Sequence, residues 1–168
     1  MTLPEGPAGP LSVERYGPAC AVSPWERGTD GPRLILVGID GSETSMRATA
    51  YACGMARRQH SQLAVVYVAE PNAWTSLITG AAAAQQRTFD ELETELRREV
   101  RQLAEEMRVP VTFLTRRGDP YGELRAAADD LKADAVIVGA SVQPGHRLVG
   151  SVAARLVRTG KWPVAVVP

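Results

Sequence analysis

The sequence has too little cysteine for a disulfide framework: two residues only, Cys20 and Cys53, and no CxxC pair. Lone thiols of this kind fit a reducing compartment, and Cys53 reads as a packing residue. Neither sign of charge is in surplus, since Lys plus Arg and Asp plus Glu number 19 each. Gripping nucleic acid or an anionic membrane by charge alone needs a cationic excess, so neither partner is expected. No stretch approaches the roughly 20 apolar residues that a membrane helix needs. The N-terminus also lacks a basic segment followed by an apolar one, the mark of a secretory signal, so a cytoplasmic location is expected. The two histidines, His60 and His146, have no partner at ligand spacing, and no metal site is expected from them. A GxxxxGK[ST] phosphate loop and a cluster of carboxylates at strand ends are missing too. Ser141, in Gly139-Ala140-Ser141, lacks the second glycine of a nucleophile elbow, so acyl transfer has no foothold.

What is present is enough chain, 168 residues, for one sizeable core. Residues 1–32 are studded with proline and glycine, which oppose both helix and central strand, so they read as an N-terminal extension. It is expected to be disordered or extended, or an arm that docks Tyr16 and Trp25 on a partner subunit. Residues 33–168 read as the folded domain. Leu34-Ile35-Leu36-Val37 is a continuous apolar run of the kind a strand buried on both faces shows. After Asp40-Gly41-Ser42, the residues Ala48, Tyr51, Ala52 and Met55 recur at helical spacing. Leu63 to Val68 is a second buried strand, and a long connection from Glu70 to about Ala84 carries Trp74, Leu77 and Ile78.

Phe89, Leu92, Leu96, Val100, Leu103 and Met107 fall on one helical stripe, and Val111 to Thr115 follow as a strand. Asp119 suits a helix cap and Pro120 a first helical position. Tyr121, Leu124, Ala128 and Leu131 mark the next helix. Ala135 to Val138 is the fourth strand, Gly150 to Thr159 the last helix and Val164 to Val167 the fifth strand. Strict alternation of strand and helix requires right-handed crossovers, which predicts an α/β fold with an open, parallel, five-stranded sheet between two helical layers.

Ligands of such sheets bind beyond the carboxyl ends of the strands, where strand order reverses. Gly38-Ile39-Asp40-Gly41-Ser42 ends the first strand and Gly139-Ala140-Ser141 the fourth, while Gly150-Ser151 opens a helix whose free amides suit an anion. Asp40 or Ser42 also suits the cap of the first helix.

Taken in order, Asp40-Gly41-Ser42, Tyr67-Val68, Gly118-Asp119-Pro120, Val136-Ile137-Val138-Gly139, Gly150-Ser151-Val152 and Pro163-Val164-Ala165-Val166-Val167 resemble the universal stress proteins over everything but the extension. That resemblance implies the adenine nucleotide alpha hydrolase-like fold, strand order 3-2-1-4-5, and homodimers paired along the final strand. It further implies a non-enzymatic stress-response module that binds ATP, with Mg accompanying it. Adenine and ribose would lie near Ile39, Asp40 and Val68, and phosphates on a G-x2-G-x9-G-[ST] loop matched by Gly139, Ala140, Gly150, Ser151 and Val152. The loop departs from that pattern: Val142 stands at the second glycine, the stretch 143–149 is shortened, and Pro144 removes a donor. Gly145 restores some freedom, and Arg147 is a candidate phosphate partner that the standard loop does not require. The competing functions are a dimeric scaffold without nucleotide, a slow ATP hydrolase on the same cleft, and a phospho-receiver. For the last, Asp40 has only Glu43 as an acidic neighbour, and Lys161 precedes the final strand instead of following it.

Overall fold

In the computed structural model, which describes residues 12–16, 31–70, 81–141 and 150–168, the apolar runs become strands. The order is β1 (Ser12–Tyr16), β2 (Leu34–Ile39), α1 (Glu43–Gln59), β3 (Gln62–Ala69), α2 (Ala81–Met107), β4 (Val111–Arg117), α3 (Pro120–Leu131), β5 (Ala135–Gly139), α4 (Ser151–Thr159) and β6 (Val164–Val167). They form a six-stranded sheet in the order β1-β4-β3-β2-β5-β6. Counted from β2, the five parallel strands stand in the expected order 3-2-1-4-5.

Two expectations are corrected. The sheet has six strands, not five, and it is not wholly parallel, because β1 runs antiparallel to β4. Ser12 to Tyr16 is a proline-free window between Pro10 and Pro18, and its side chains alternate between half-buried and exposed, the period of a strand with one covered face. An antiparallel edge strand needs no crossover helix, so an extension can supply it. Its covered residues meet α2 and β4: Glu14 pairs with Arg97, the Ser12 hydroxyl donates to Thr115 Oγ1 at 3.1 Å, and the Arg101 guanidinium lies 4.5 Å from the Tyr16 ring centroid. Tyr16 therefore docks on its own subunit. Trp25 lies outside the described residues, as do Trp74, Leu77 and Ile78.

Two cores sandwich the sheet. On one face α1 and α2 bury Ala48, Ala52, Cys53, Ala56, Leu96 and Val100 against Ile35, Val37, Val65 and Phe113. On the other, α3 and α4 bury Leu124, Ala127, Ala128, Ala153 and Leu156 against Leu36, Val66, Leu114 and Val136. The buried stripe of α1 runs through Ser45, Ala48, Thr49, Ala52, Cys53 and Ala56, so Tyr51 is 48% exposed and not on the core face expected for it. Small residues on that stripe bring the helix axis close to the sheet. Burial pushes the Cys53 thiol up to about 11, against the pull of Arg57, which leaves it a packing residue without thiolate reactivity. Ser42 caps α1 by accepting from the Ser45 amide at 3.2 Å, and Asp119 caps α3 by accepting from the Gly122 amide at 2.8 Å, with Pro120 in the first turn.

Arg116, near the end of β4, is a charge inside the α3 face, with its side chain 2% exposed. Its guanidinium donates to Glu123 Oε2 at 3.4 Å and Asp130 Oδ2 at 2.7 Å, while Nε has no hydrogen-bond partner. A buried charge is costly once a partner is removed, yet the whole pair is replaceable by apolar or neutral groups. Glu123→Ala leaves Asp130 still paired with the guanidinium and is expected to lower the unfolding free energy by about 1–3 kcal/mol, the cost of one buried donor without a partner. The double change Arg116→Met with Glu123→Gln is expected to cost less, as read by urea denaturation. A double variant less stable than Glu123→Ala would refute this account.

Candidate functional site

After β2 the chain turns through α1 to β3, and after β5 it turns through α4 to β6, on the opposite side. Adjacent strands whose connections diverge leave a crevice at their carboxyl ends. A cavity of about 710 Å³ occupies it, within the range that small-molecule sites span. Ile39, Asp40, Val68, Gly139, Ala140, Gly150, Ser151 and Val152 all line it. Arg147, along with Val142, Pro144, Gly145 and His146, lies outside the described residues.

The crevice depends on two glycines in contact with their neighbours. A Cβ on Gly139 would fall 2.6 Å from the carbonyl carbon of Thr44 and 2.7 Å from the Ser45 nitrogen. Only a bare Cα lets the first turn of α1 sit on the end of β5. A Cβ on Gly150 would lie 2.8 Å from that of Ser141, so the chain leaves β5 and enters α4 at adjacent points. Both residues, expected as phosphate-loop glycines, have packing duties that need no ligand.

Asp40 does not cap α1; Ser42 does. Asp40 Oδ1 instead accepts from the Ser42 amide at 2.9 Å, and the Asp40 amide donates to Ser45 Oγ at 3.3 Å. Partial burial opposes ionisation of the Asp40 carboxyl, but hydrogen bonds from Ser42 and Ser45 outweigh it and hold the pKa below the usual carboxylate value. The carboxylate stands at the mouth, exposed on one side. The floor is apolar, built from Ile39, Val66, Val68 and Val138, with Leu124 from α3 and Phe89 and Leu92 from α2. Tyr67 also lines it; burial raises its phenol pKa, and Glu93, Asp40 and Asp90 raise it further, so at neutral pH it is a hydroxyl donor. At the far side α4 starts on Gly150, which has no side chain to cap the first amides, unlike Ser42 and Asp119. The Ser151 hydroxyl sits at that turn.

Sequence reasoning missed the second helix as a wall: Phe89 and Leu92 belong to the apolar stripe of α2, and nothing in their spacing separates cavity lining from core. It also missed the acidity of the rim. Glu70, distant in sequence, lines the cavity together with the neighbours Asp40 and Glu43. Among the described residues, no three His, Cys, Asp or Glu side chains are grouped to hold a metal ion. Also among them, no helix is long and apolar enough to cross a membrane.

Gly139→Ala forces the α1 turn off β5, and overpacking of this kind is expected to cost about 1–3 kcal/mol, measured as a lower urea midpoint. A wild-type midpoint would remove the close-approach argument. The depressed pKa of Asp40 contributes stability at pH values above the unfolded carboxyl value, about 3.9, and loses it as pH falls through the lower folded value. The stability gap between wild type and Asp40→Asn should therefore be constant from pH 7 to about 5 and shrink below pH 4. A gap that widens on acidification would contradict the hydrogen-bond assignment.

The Universal stress protein family model matches residues 32–168. Universal stress protein MJ0531 of Methanocaldococcus jannaschii is 28% identical over 138 residues, which cover 80% of this chain and 81% of that protein. Among solved structures, universal stress protein UspA from Lactobacillus plantarum superposes with a TM-score of 0.69 at 21% identity, covering 80% of this chain and 97% of that one. A universal stress protein solved in complex with cAMP matches with a TM-score of 0.62 at 26% identity, covering 82% of this chain and 98% of that one. With its parallel strands in order 3-2-1-4-5 and a family match over most of its length, the chain belongs to the universal stress protein family.

Proposed function

We propose that this protein is a non-enzymatic stress-response module that binds an adenine nucleotide in the cavity between β2 and β5. The observation that carries this reading is the convergence of eight residues from four separate segments on one cavity at the point where strand order reverses: Ile39, Asp40, Val68, Gly139, Ala140, Gly150, Ser151 and Val152. The chemistry of the lining fits a nucleoside. The apolar floor suits a purine face, and Asp40, ionised at neutral pH, is an acceptor for ribose hydroxyls. The uncapped amides of α4 and the Ser151 hydroxyl suit a phosphate, with Arg147 proposed as a further partner. Adenine nucleotide binding also has support from the relative solved with cAMP.

Binding is sufficient for such a module, and phosphoryl transfer demands more: positioned metal, cationic clamps and a group to orient the nucleophile. Mg belongs to this reading only as the companion of ATP. A second copy pairing along the exposed edge of β6 would make the homodimer, since an unpaired apolar edge strand invites its own copy. A cytoplasmic location is part of the same proposal.

Titration calorimetry with cAMP and with ATP tests the reading. At least one is expected to bind at micromolar strength, and Asp40→Ala or Ser151→Ala to weaken that binding about tenfold, the loss of one charge-assisted contact. Light scattering on the same samples reads the dimer. Clean, folded protein that gives no heat with any adenine nucleotide would end the nucleotide proposal.

A further inference from the structure

One polar group of the cavity has no use inside the protein. Tyr67 stands near the end of β3, between Ile39 of β2 and Thr115 of β4, on the face that α1 and α2 cover. It lines the cavity and is only 3% exposed, so its ring is packed. Its hydroxyl makes no hydrogen bond among the described residues. Arg97 Nε and Arg116 Nε are the unpartnered side-chain atoms there that are fully enclosed. The Tyr67 oxygen is not one of them, so it keeps its accessible surface, and the space that this residue lines is the cavity.

The carboxylates around the phenol are already engaged. Glu93 Oε1 accepts from Thr115 Oγ1 at 2.8 Å and pairs with Arg97. Asp40 Oδ1 accepts from the Ser42 amide at 2.9 Å, and Asp90 Oδ1 from Gln86 Nε2 at 2.8 Å. Burial and these three carboxylates keep the phenol protonated, and their charge disfavours an anionic partner beside it. Ile39, Phe89 and Leu92, its neighbours in the lining, are apolar and offer no acceptor to the hydroxyls of a sugar. What fits is a flat ring with a neutral acceptor on its edge.

We infer that the Tyr67 hydroxyl contacts the ligand of this cavity, donating to a ring nitrogen of the adenine base. This rests on the adenine-nucleotide reading above and names the residue that recognises the base. A ligand filling apolar space around a hydroxyl strips it of water, so a hydrogen bond made there carries affinity, and a ligand without the acceptor loses it. Selection then acts on the edge of the base and not on flat rings in general.

The test pairs Tyr67→Phe, which removes the hydroxyl and keeps the ring, with adenine analogues that each lack one ring nitrogen. The full chain is titrated by calorimetry with ATP and with cAMP, and the tighter of the two is then compared with its 1-deaza, 3-deaza and 7-deaza forms. Tyr67→Phe is expected to weaken the parent ligand about tenfold, and one deaza form to bind the wild type about tenfold more weakly than the parent. That form and the parent should bind Tyr67→Phe equally, because each change removes the same contact. The urea midpoint of Tyr67→Phe should equal or exceed the wild-type value, since no hydrogen bond within the protein is lost. Unchanged affinity in Tyr67→Phe, beside normal wild-type binding, would overturn the contact and leave the nucleotide reading intact. A lowered midpoint would mean that the hydroxyl is bonded within the protein, which overturns the contact as well. Losses that add to that of Tyr67→Phe for all three deaza forms would overturn the ring nitrogen as its partner. Absence of wild-type binding by both parent ligands would remove the nucleotide reading and this inference together.

Discussion

The absence of a side chain at Gly139 is the constraint on which the site depends. Because nothing projects from that Cα, the first turn of α1 rests directly on the end of β5, with Thr44 and Ser45 backbone atoms where a methyl group would otherwise be. The contact ties the loop after β2 to the strand that follows it in the sheet but comes about a hundred residues later in the chain. It fixes where Asp40 stands relative to Gly150 and Ser151, and so fixes the width of the crevice. The glycine that a family motif assigns to phosphate contact thus has a physical duty even in the absence of ligand.

Around that contact the polar ends of the elements are treated unequally. The amides of α1 and α3 are satisfied within the chain by Ser42 and Asp119, whereas α4 opens on a glycine that can satisfy none. An apolar floor, an acceptor at Asp40 and an uncapped helix mouth therefore share one space.

At the far edge of the sheet the chain solves a different problem. An open β4 edge would present unpaired backbone groups to other chains, and β1 covers it using its own polar alternation: Glu14 to Arg97, Ser12 to Thr115, and Tyr16 beneath Arg101. Arg116, one strand position beyond Thr115, points to the opposite face and is held by two carboxylates of α3. The C-terminal end of β4 is thus tied to helices on both sides of the sheet, by the Thr115 hydrogen bond to Glu93 of α2 and by the Arg116 ion pairs to α3.

The amino-acid order by itself determined the alternation of β2 to β6 with α1 to α4, the stripe of α2, the cap at Asp119 and the parallel sense of the five core strands, whereas their order was implied only by the family resemblance. These follow from periodicity, from turn residues and from the handedness of crossovers, all of which are local or nearly so. It also marked the two strand ends and the helix mouth as the places where a ligand would sit. Folding alone decided the rest. β1 was hidden because five residues between prolines carry no signal until β4 offers an edge to pair with. Cys53 was legible as a packing residue, but Tyr51 was assigned to the core stripe and lies 48% exposed, since which helix face is covered is settled only once the sheet's direction is set. Phe89, Leu92, Glu43 and Glu70 join the cavity for the same reason: which side chains meet in space depends on how helices lie over strands, and that geometry comes from long-range packing, which no stretch of sequence contains.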